Sequence, residues 1–122
     1  MENWIYLAGL MDGEGCISLE RRTYKKKSYY YPSIRLAMKS KVTITTLFER
    51  HGGKLYGHRN GMWLWYSYGE HARNTLENIA PFMIEKKDEA EKLLSTFNED
   101  MMQKEKSFLV LRKMKQDKHK SE

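Results

Sequence analysis

The spacing of apolar side chains near the start of the chain predicts a helix. Trp4, Leu7 and Met11 recur every three or four residues, which is the period of one helical face. Asn3 stands just before this pattern and is a residue type favoured at helix N-termini. We therefore expect the first helix to span residues 3–13.

Two runs rich in β-branched and aromatic residues follow this helix, over 16–24 and 29–38. The polar stretch 25–28 between them predicts the loop of a long hairpin. Within the first run Ile17 and Leu19 alternate with polar residues, which indicates that one face of this strand is buried.

The rest of the chain repeats this order and then ends in helix. Ser40 is the expected N-cap of the next helix, and Asn60-Gly61 is a favoured hairpin turn. The pattern predicts a helix over 41–51, strands over 54–58 and 62–68, a helix over 70–80 and a last helix over 86–114 with a frayed tail, its apolar side carrying Ala90, Leu93, Leu94, Phe97, Met101 and Met102. The αββαββα order plus a long C-terminal helix is typical of an α+β protein whose helices cover one face of a four-stranded antiparallel sheet.

Length and composition limit the protein class. With 122 residues, 40% of them hydrophobic, the chain can form one packed domain over 1–122 and is not expected to be disordered. No apolar run approaches the roughly 20 residues that a membrane helix needs, and the N-terminus lacks a signal-peptide pattern. A single cysteine, Cys16, fits a reducing intracellular compartment, cytoplasmic or organellar. No nucleotide-binding loop occurs, so we expect no small-molecule cofactor.

Positive charge is concentrated on the predicted first hairpin. The whole chain has a formal net charge of +6. Residues 20–41 alone contain eight Lys and Arg residues against the single acid Glu20. Such a cluster indicates a polyanionic partner, but a solubilising surface would look the same. Charge by itself leaves these two interpretations equally open.

The clearest chemical signal lies in residues 7–15, which read LAGLMDGEG. Gly9 and Gly13 share one helical face, so a second helix could approach that face closely. Glycine inside a helix costs about 0.5–1 kcal/mol relative to alanine, so two of them need a reason. Asp12 and Glu14 follow at the helix C-terminus, where the dipole disfavours anions and a cation would compensate. A structural helix with solvated acids is the alternative that this pattern allows.

The run at 7–15 resembles the LAGLIDADG signature, with Met for Ile, Gly for Ala and Glu for the second Asp. The helix stop at 51–53 and the segment APFMIEKK at 80–87 are similar to the same family in layout. The chain thus resembles a LAGLIDADG homing endonuclease with a single motif. One motif implies half an active site per chain, and therefore a homodimer that cuts both strands of a long pseudo-palindromic DNA duplex.

The resemblance implies roles for individual residues. Glu14, the last acid of the motif, would bind Mg²⁺ or Mn²⁺ at the scissile phosphate, and Gly13 would offer its backbone carbonyl. Asp12 would support the helix end, and Lys86 would act electrostatically or position the attacking water. The expected catalytic residues are therefore Glu14, Lys86 and Asp12. The expected dimer interface consists of Ala8, Gly9, Asp12 and Gly13.

The open face of the sheet is the expected DNA-binding surface, because a two-stranded ribbon fits the major groove. Arg22 and Arg35 are the best guanine readers by their chemistry, and the lysines at 25–27 are expected to contact phosphates. The full set of expected DNA contacts is Ser18, Glu20, Arg22, Tyr24, Lys25, Lys26, Lys27, Tyr29, Tyr31, Ser33, Arg35, Lys39, His58 and Arg59.

Met38 departs from the family pattern, in which many members carry Gln at this position to order active-site water. Methionine cannot do this, although Lys39 could partly substitute. The alternative function is therefore a non-cleaving DNA- or RNA-binding protein on the same scaffold, an intron maturase or a regulator. Trp63 and Trp65 share one face of their strand, and the pattern leaves open which face that is.

Overall fold

The structure, a computed structural model, describes residues 2–121 of the chain. The side chains of Glu2, His58, Arg59 and residues 118–121 lie outside the described part. The elements are α1 (Glu2–Glu14), β1 (Cys16–Tyr24), β2 (Lys27–Met38), α2 (Lys41–His51), β3 (Lys54–Arg59), β4 (Met62–Tyr68), α3 (Gly69–Ile79), α4 (Lys87–Ser95) and α5 (Met101–Ser121), with short 3-10 turns at Ala80–Phe82 and Thr96–Asn98. This order confirms the predicted α+β architecture.

The four strands form one antiparallel sheet, as predicted, in the order β1-β2-β4-β3. A two-residue turn, Lys25-Lys26, joins β1 to β2, and both residues have left-handed backbone angles (φ 49° and 66°). Such a turn matches the twist of the strands, so the loop is shorter than predicted and Lys27 already belongs to β2. Asn60 and Gly61 form the second turn as predicted, with φ of 56° and 78°.

The helices cover one face of this sheet and build the core against it. Ile17 of β1, Ile34 of β2 and Trp65 of β4 are fully buried on that face. The indole N–H of Trp65 donates to the backbone carbonyl of Gly52 at 2.8 Å. Trp63 packs against the same core. The orientation that the pattern left open is therefore inward for both tryptophans.

The ends of α1 differ slightly from the prediction. The helix already includes Glu2, so Asn3 lies inside it and does not cap it. At the other end the N–H of Gly15 donates to the carbonyl of Met11 at 3.0 Å. A Cβ at Gly15 would clash with the Met11 side chain, so the chain can turn from α1 into β1 here because this residue has no side chain.

The long helix predicted at the end of the chain is two helices in the structure. α4 ends at Ser95, and a new helix follows Asp100. The Asp100 carboxylate accepts the N–H of Gln103 at 2.8 Å, and the Gln103 side chain accepts the N–H of Asp100 at 3.1 Å. This reciprocal capping box stabilises a helix start in the middle of the predicted helix.

The break changes which side chains of the last segment are buried. Met101 and Met102, predicted on the apolar side, are 45% and 70% exposed. Phe108 and Leu111 hold α5 against the core instead, and α5 continues to Ser121. None of the helices in the described part of the chain is long and apolar enough to cross a bilayer.

Candidate functional site

A cleft of about 800 Å³ opens at the C-terminal end of α1, between α1, the start of β1, α4 and α5. Its lining residues are Gly9, Asp12, Gly13, Gly15, Cys16, Ile17, Glu85, Lys86, Glu89 and Lys115. It brings together two of the predicted catalytic residues, Asp12 and Lys86, which are 74 positions apart in the chain. Glu14 is exposed at the last position of α1, next to this cleft.

The Asp12 carboxylate is fully engaged with the chain that leads into α4. It accepts backbone N–H bonds from Ile84 at 3.0 Å, Glu85 at 3.0 Å and Lys86 at 2.7 Å. Burial by itself would raise the pKa of Asp12, but these hydrogen bonds and the Lys86 charge outweigh it, so the pKa is lowered from 3.8. Asp12 therefore ties α1 to the start of α4.

Lys86 completes this connection in the opposite direction. Its ammonium group donates to the backbone carbonyl of Asp12 at 2.8 Å. This carbonyl belongs to the last turn of α1, where the helix dipole is negative and favours a cation. The amine of Lys86 is thereby held on the surface of the cleft, at the carbonyl of the residue two positions before Glu14.

We expect Asp12→Ala to lower the free energy of unfolding by about 1–2 kcal/mol near pH 7, because three backbone N–H groups lose a charged acceptor. Because Asp12 is partly exposed to solvent, this loss of unfolding free energy should be smaller than for a fully buried charged hydrogen bond. A carboxylate whose pKa is lowered by folding stabilises the folded state at pH values above its unfolded pKa. The difference in unfolding free energy between the wild type and Asp12→Ala should therefore disappear as the pH falls through the lowered pKa of Asp12. Urea denaturation across this pH range measures both effects. Asp117→Ala, on the exposed side of α5, should change stability by less than about 0.5 kcal/mol; an equal loss in both variants would contradict the prediction.

Glu14 differs from Asp12 in its surroundings. Its side chain is exposed, and the carbonyls of the last turn of α1, including that of Gly13, lie at the same helix end. Carboxylate and carbonyl oxygens are the ligands that Mg²⁺ prefers. Among the described residues, no group of three or more His, Cys, Asp and Glu side chains could hold a metal ion. One chain thus offers a fitting but incomplete donor set.

The outer face of α1 is open and contains the motif glycines. A Cβ at either Gly9 or Gly13 would meet nothing within 4 Å. Ile5 and Tyr6, on the same side of the helix, are 46% and 48% exposed. Ala8 is fully buried in the chain's own core, so its prediction as a dimer-interface residue is wrong. One helical step of about 100° turns it away from Gly9 and toward the core.

The register of β1 and β2 places the predicted DNA contacts of these strands on the open sheet face. The Cα partners are Cys16↔Arg35, Ser18↔Ser33, Glu20↔Tyr31, Arg22↔Tyr29 and Tyr24↔Lys27. Of the predicted contacts outside these pairs, Lys25, Lys26 and Lys39 are exposed, and the side chains of His58 and Arg59 lie outside the described residues. The alternation along both strands therefore holds in the structure.

Ser33 and Met38 on β2 are buried, Ser33 fully and Met38 in part. Ser33 is fully buried, with its hydroxyl 3.3 Å from that of Ser18, so the prediction of a direct DNA contact by Ser33 is wrong. The small hydroxyl is covered by the larger side chains around it. Met38 packs partly buried against the core and offers no polar group to water, while Lys39 next to it is exposed.

Two residues, one in the cleft and one on the open sheet face, were not predicted from the sequence. Lys115 of α5 lines the cleft, and its ammonium lies 3.7 Å from the Cys16 thiol. Tyr66 of β4 donates its hydroxyl to the Glu20 carboxylate at 2.5 Å. The alternation of β4, which puts Tyr66 opposite the tryptophan face, could have identified Tyr66. Lys115 had no signal of its own, because its place in the cleft depends on the packing of α5 against β1.

The chain resembles known proteins in its fold and not in its sequence. No protein-family model matches the sequence, and no curated protein matches it. One structural match is the homing endonuclease I-CvuI, solved in complex with the I-CreI target in the presence of 2 mM Mg, with the DNA not cleaved. The two structures superpose with a TM-score of 0.72 at 21% sequence identity, over 77% of this chain and 64% of that one. The chain thus covers less than two thirds of the length of I-CvuI.

Two further solved structures match in the same way. The archaeal intron-encoded homing endonuclease I-Vdi141I, complexed with DNA, has a TM-score of 0.68 at 18% identity, over 80% of this chain and 67% of that one. The LAGLIDADG homing endonuclease I-GzeII, in complex with its DNA target, has a TM-score of 0.64 at 14% identity, over 79% of this chain and 36% of that one. The glycine-faced helix, the four-stranded sheet and these superpositions together mean that the chain has the fold of the LAGLIDADG homing endonucleases.

Proposed function

We propose that this protein is a homodimeric, metal-dependent, site-specific endonuclease that hydrolyses both strands of a long pseudo-palindromic DNA duplex. One observation carries the proposal. The two acids of the motif differ in their surroundings, because Asp12 accepts three backbone N–H bonds while Glu14, two residues later, is exposed. A purely structural helix end would need the first acid and gain nothing from the second.

The open face of α1 supports a homodimer. A twofold axis through this face would pair Gly9 and Gly13 with their copies, and would cover Ile5 and Tyr6 as well. Without a side chain at the glycines, two helix backbones can approach closely. The same axis would bring both Glu14 carboxylates to one place and supply the metal ligands that one chain lacks.

The residues at the end of α1 fit a divalent metal of the Mg²⁺ or Mn²⁺ type. Glu14 would hold it through the carboxylate and Gly13 through the backbone carbonyl. Bound there, the metal would activate water and neutralise charge on the phosphate. Lys86, fixed by its bond to the Asp12 carbonyl, would present a positive charge to the scissile phosphate and its attacking water. Its position is set before DNA binds, so no rearrangement is needed at the moment of reaction.

The open sheet face would take the DNA. Lys25, Lys26 and Lys27 are exposed at the tip of the β1–β2 hairpin, where they would contact phosphates and fix the register of the strands on the duplex. Arg22 and Arg35 are exposed on the face itself, where they would reach guanine edges in the major groove.

The double variant Lys25→Asn, Lys26→Gly should reduce the salt dependence of DNA binding without harming the fold. Both residues have left-handed backbone angles, and Asn-Gly is the pair that such a turn prefers. Each lost phosphate contact lowers the slope of log K against log salt by about 0.9. Titrations of a fixed duplex at several salt concentrations measure this slope. Removing two charges from α5 with Lys106→Gln and Lys113→Gln is the control; an equal change there would contradict a role for the hairpin.

The test of the function is digestion of DNA. The protein is incubated with a randomised duplex pool, or with DNA of its native insertion locus, in Mg²⁺, and the ends are sequenced. Specific double-strand breaks that depend on Mg²⁺ are the expected result. Light scattering on the free protein and on the complex tests the dimer separately, since a monomer in both states would contradict the shared site.

The second candidate is a non-cleaving nucleic-acid binder on the same scaffold. The observation that favours it is Met38, which packs against the core and cannot order water at the end of β2. Tight and specific binding without cleavage in Mg²⁺ or Mn²⁺ would identify this function. An RNA ligand would then indicate a maturase, and a DNA ligand a regulator.

A further inference from the structure

Five side chains on the open sheet face form a continuous brace across three strands. The Tyr66 hydroxyl on β4 donates to the Glu20 carboxylate on β1 at 2.5 Å. The Tyr66 ring contacts that of Tyr68 with centroids 5.5 Å apart, and Tyr68 meets Tyr31 of β2 edge-on at 6.4 Å. The Arg22 guanidinium lies over the Tyr31 ring, 5.3 Å from its centroid.

This brace restrains the two charged residues at its ends. Glu20 and Arg22 are two positions apart on β1 and point to the same face. Burial, followed by the hydrogen bond to Glu20, raises the pKa of Tyr66 well above its usual value, so the phenol stays protonated and remains a donor. It binds one carboxylate oxygen of Glu20, and the other can accept a bond from a ligand.

The pair has complementary chemistry for a DNA edge. A guanidinium matches the O6 and N7 acceptors of guanine, and a carboxylate accepts from the N4 amino group of cytosine. Two residues along a strand span roughly 6.6–6.8 Å, which equals about two base-pair steps of 3.4 Å. A carboxylate on this basic hairpin would repel DNA phosphates. A hydrogen bond from the N4 amino group of cytosine would explain why an acid lies at this position.

We propose that Tyr66 and Tyr31 are positioning residues that hold Glu20 and Arg22 as a preassembled pair, which reads a cytosine and a guanine two base-pair steps apart in each half-site. The inference rests on the proposed function, because it takes the open sheet face as the surface that contacts duplex DNA. Preorganisation reduces the entropy lost when these side chains bind, so it acts on base preference more than on contacts to phosphate.

The test is selection of duplexes from a randomised pool by the full-length protein in Ca²⁺, read by sequencing. The wild type should enrich C and G two steps apart. Tyr66→Phe keeps the ring and removes only the hydroxyl, so it should reduce the preference for C about fivefold or more, with the salt slope unchanged. Tyr56→Phe, a tyrosine whose ring also contacts Tyr66 and whose side chain is exposed on the same face, should leave the preference as in the wild type.

Glu20→Gln gives a second, independent outcome. Glutamine pairs with adenine through N6 and N7, so the selected base should change from C to A. Specific duplex selection without a C and G at this spacing, or with the same C preference in Tyr66→Phe, would overturn the inference and leave the nuclease proposal standing. Failure to select any duplex would overturn both.

Discussion

Glu14→Gln is expected to slow DNA cleavage in Mg²⁺ by at least about 1000-fold, while binding of the same duplex stays within about twofold. Glutamine has the shape of glutamate but no charge, so it cannot replace an anionic metal ligand. The fold should not suffer, because the Glu14 side chain is exposed. Stability should stay equal or rise slightly, since an anion at the C-terminus of α1 opposes the helix dipole.

Single-turnover cleavage of pre-bound DNA separates this chemical defect from a binding defect. Glu91→Gln, at an exposed position of α4, removes the same charge away from the cleft and should cleave at the wild-type rate. Wild-type cleavage by Glu14→Gln would exclude Glu14 as the metal ligand. Loss of binding in the same variant would mean that its charge matters for the assembly and not for the reaction.

Gly9→Leu is expected to raise the dissociation constant of the dimer about 100-fold or more while the monomer becomes more stable. A side chain at this position meets nothing within 4 Å in the monomer, and leucine is a better helix former than glycine. In the proposed dimer, two leucines would overpack the helix contact at the twofold axis, at about 1–3 kcal/mol each. The substitution should therefore stabilise the chain and separate the subunits.

Light scattering measures the loss of the dimer, and thermal denaturation at a concentration where both proteins are monomeric measures the stability of the chain itself. Gly9→Ala should give an intermediate loss of dimer, since its methyl group is smaller. Asn74→Leu, at an exposed position of α3, controls for added apolar surface and should leave the oligomeric state unchanged. A fully dimeric Gly9→Leu protein would show that α1 does not form the interface.

Much of the fold was predictable because its signals are local. The Ser40 side chain accepts the N–H of Thr43 at 3.2 Å, as its position before a helical pattern indicated. The Asn60-Gly61 turn and the alternation along β1 were likewise readable from neighbouring residues. The break before α5 had a local signal too, the Asp100-to-Gln103 capping box, but the apolar period across it suggested a continuous helix.

The candidate site was only partly predictable from the sequence. Which of several similar residues has a given role depends on contacts with residues far away in the chain. Asp12 and Glu14 are both acids at one helix end, and pattern alone assigned them to the same site. Their difference arises from N–H groups 72 to 74 positions away, which the fold brings to Asp12 and not to Glu14.

Contacts between distant segments also decide the surroundings of Ala8, Gly9 and Lys115. Ala8 and Gly9 are neighbours in the motif, yet one is buried in the core and the other lies on an open face. Lys115 reaches the cleft because α5 packs against β1. Local pattern determined the helices, the hairpins and the presence of an acidic, glycine-faced helix end. Tertiary contacts between segments far apart in sequence decided which of its acids is free and which of its faces is open.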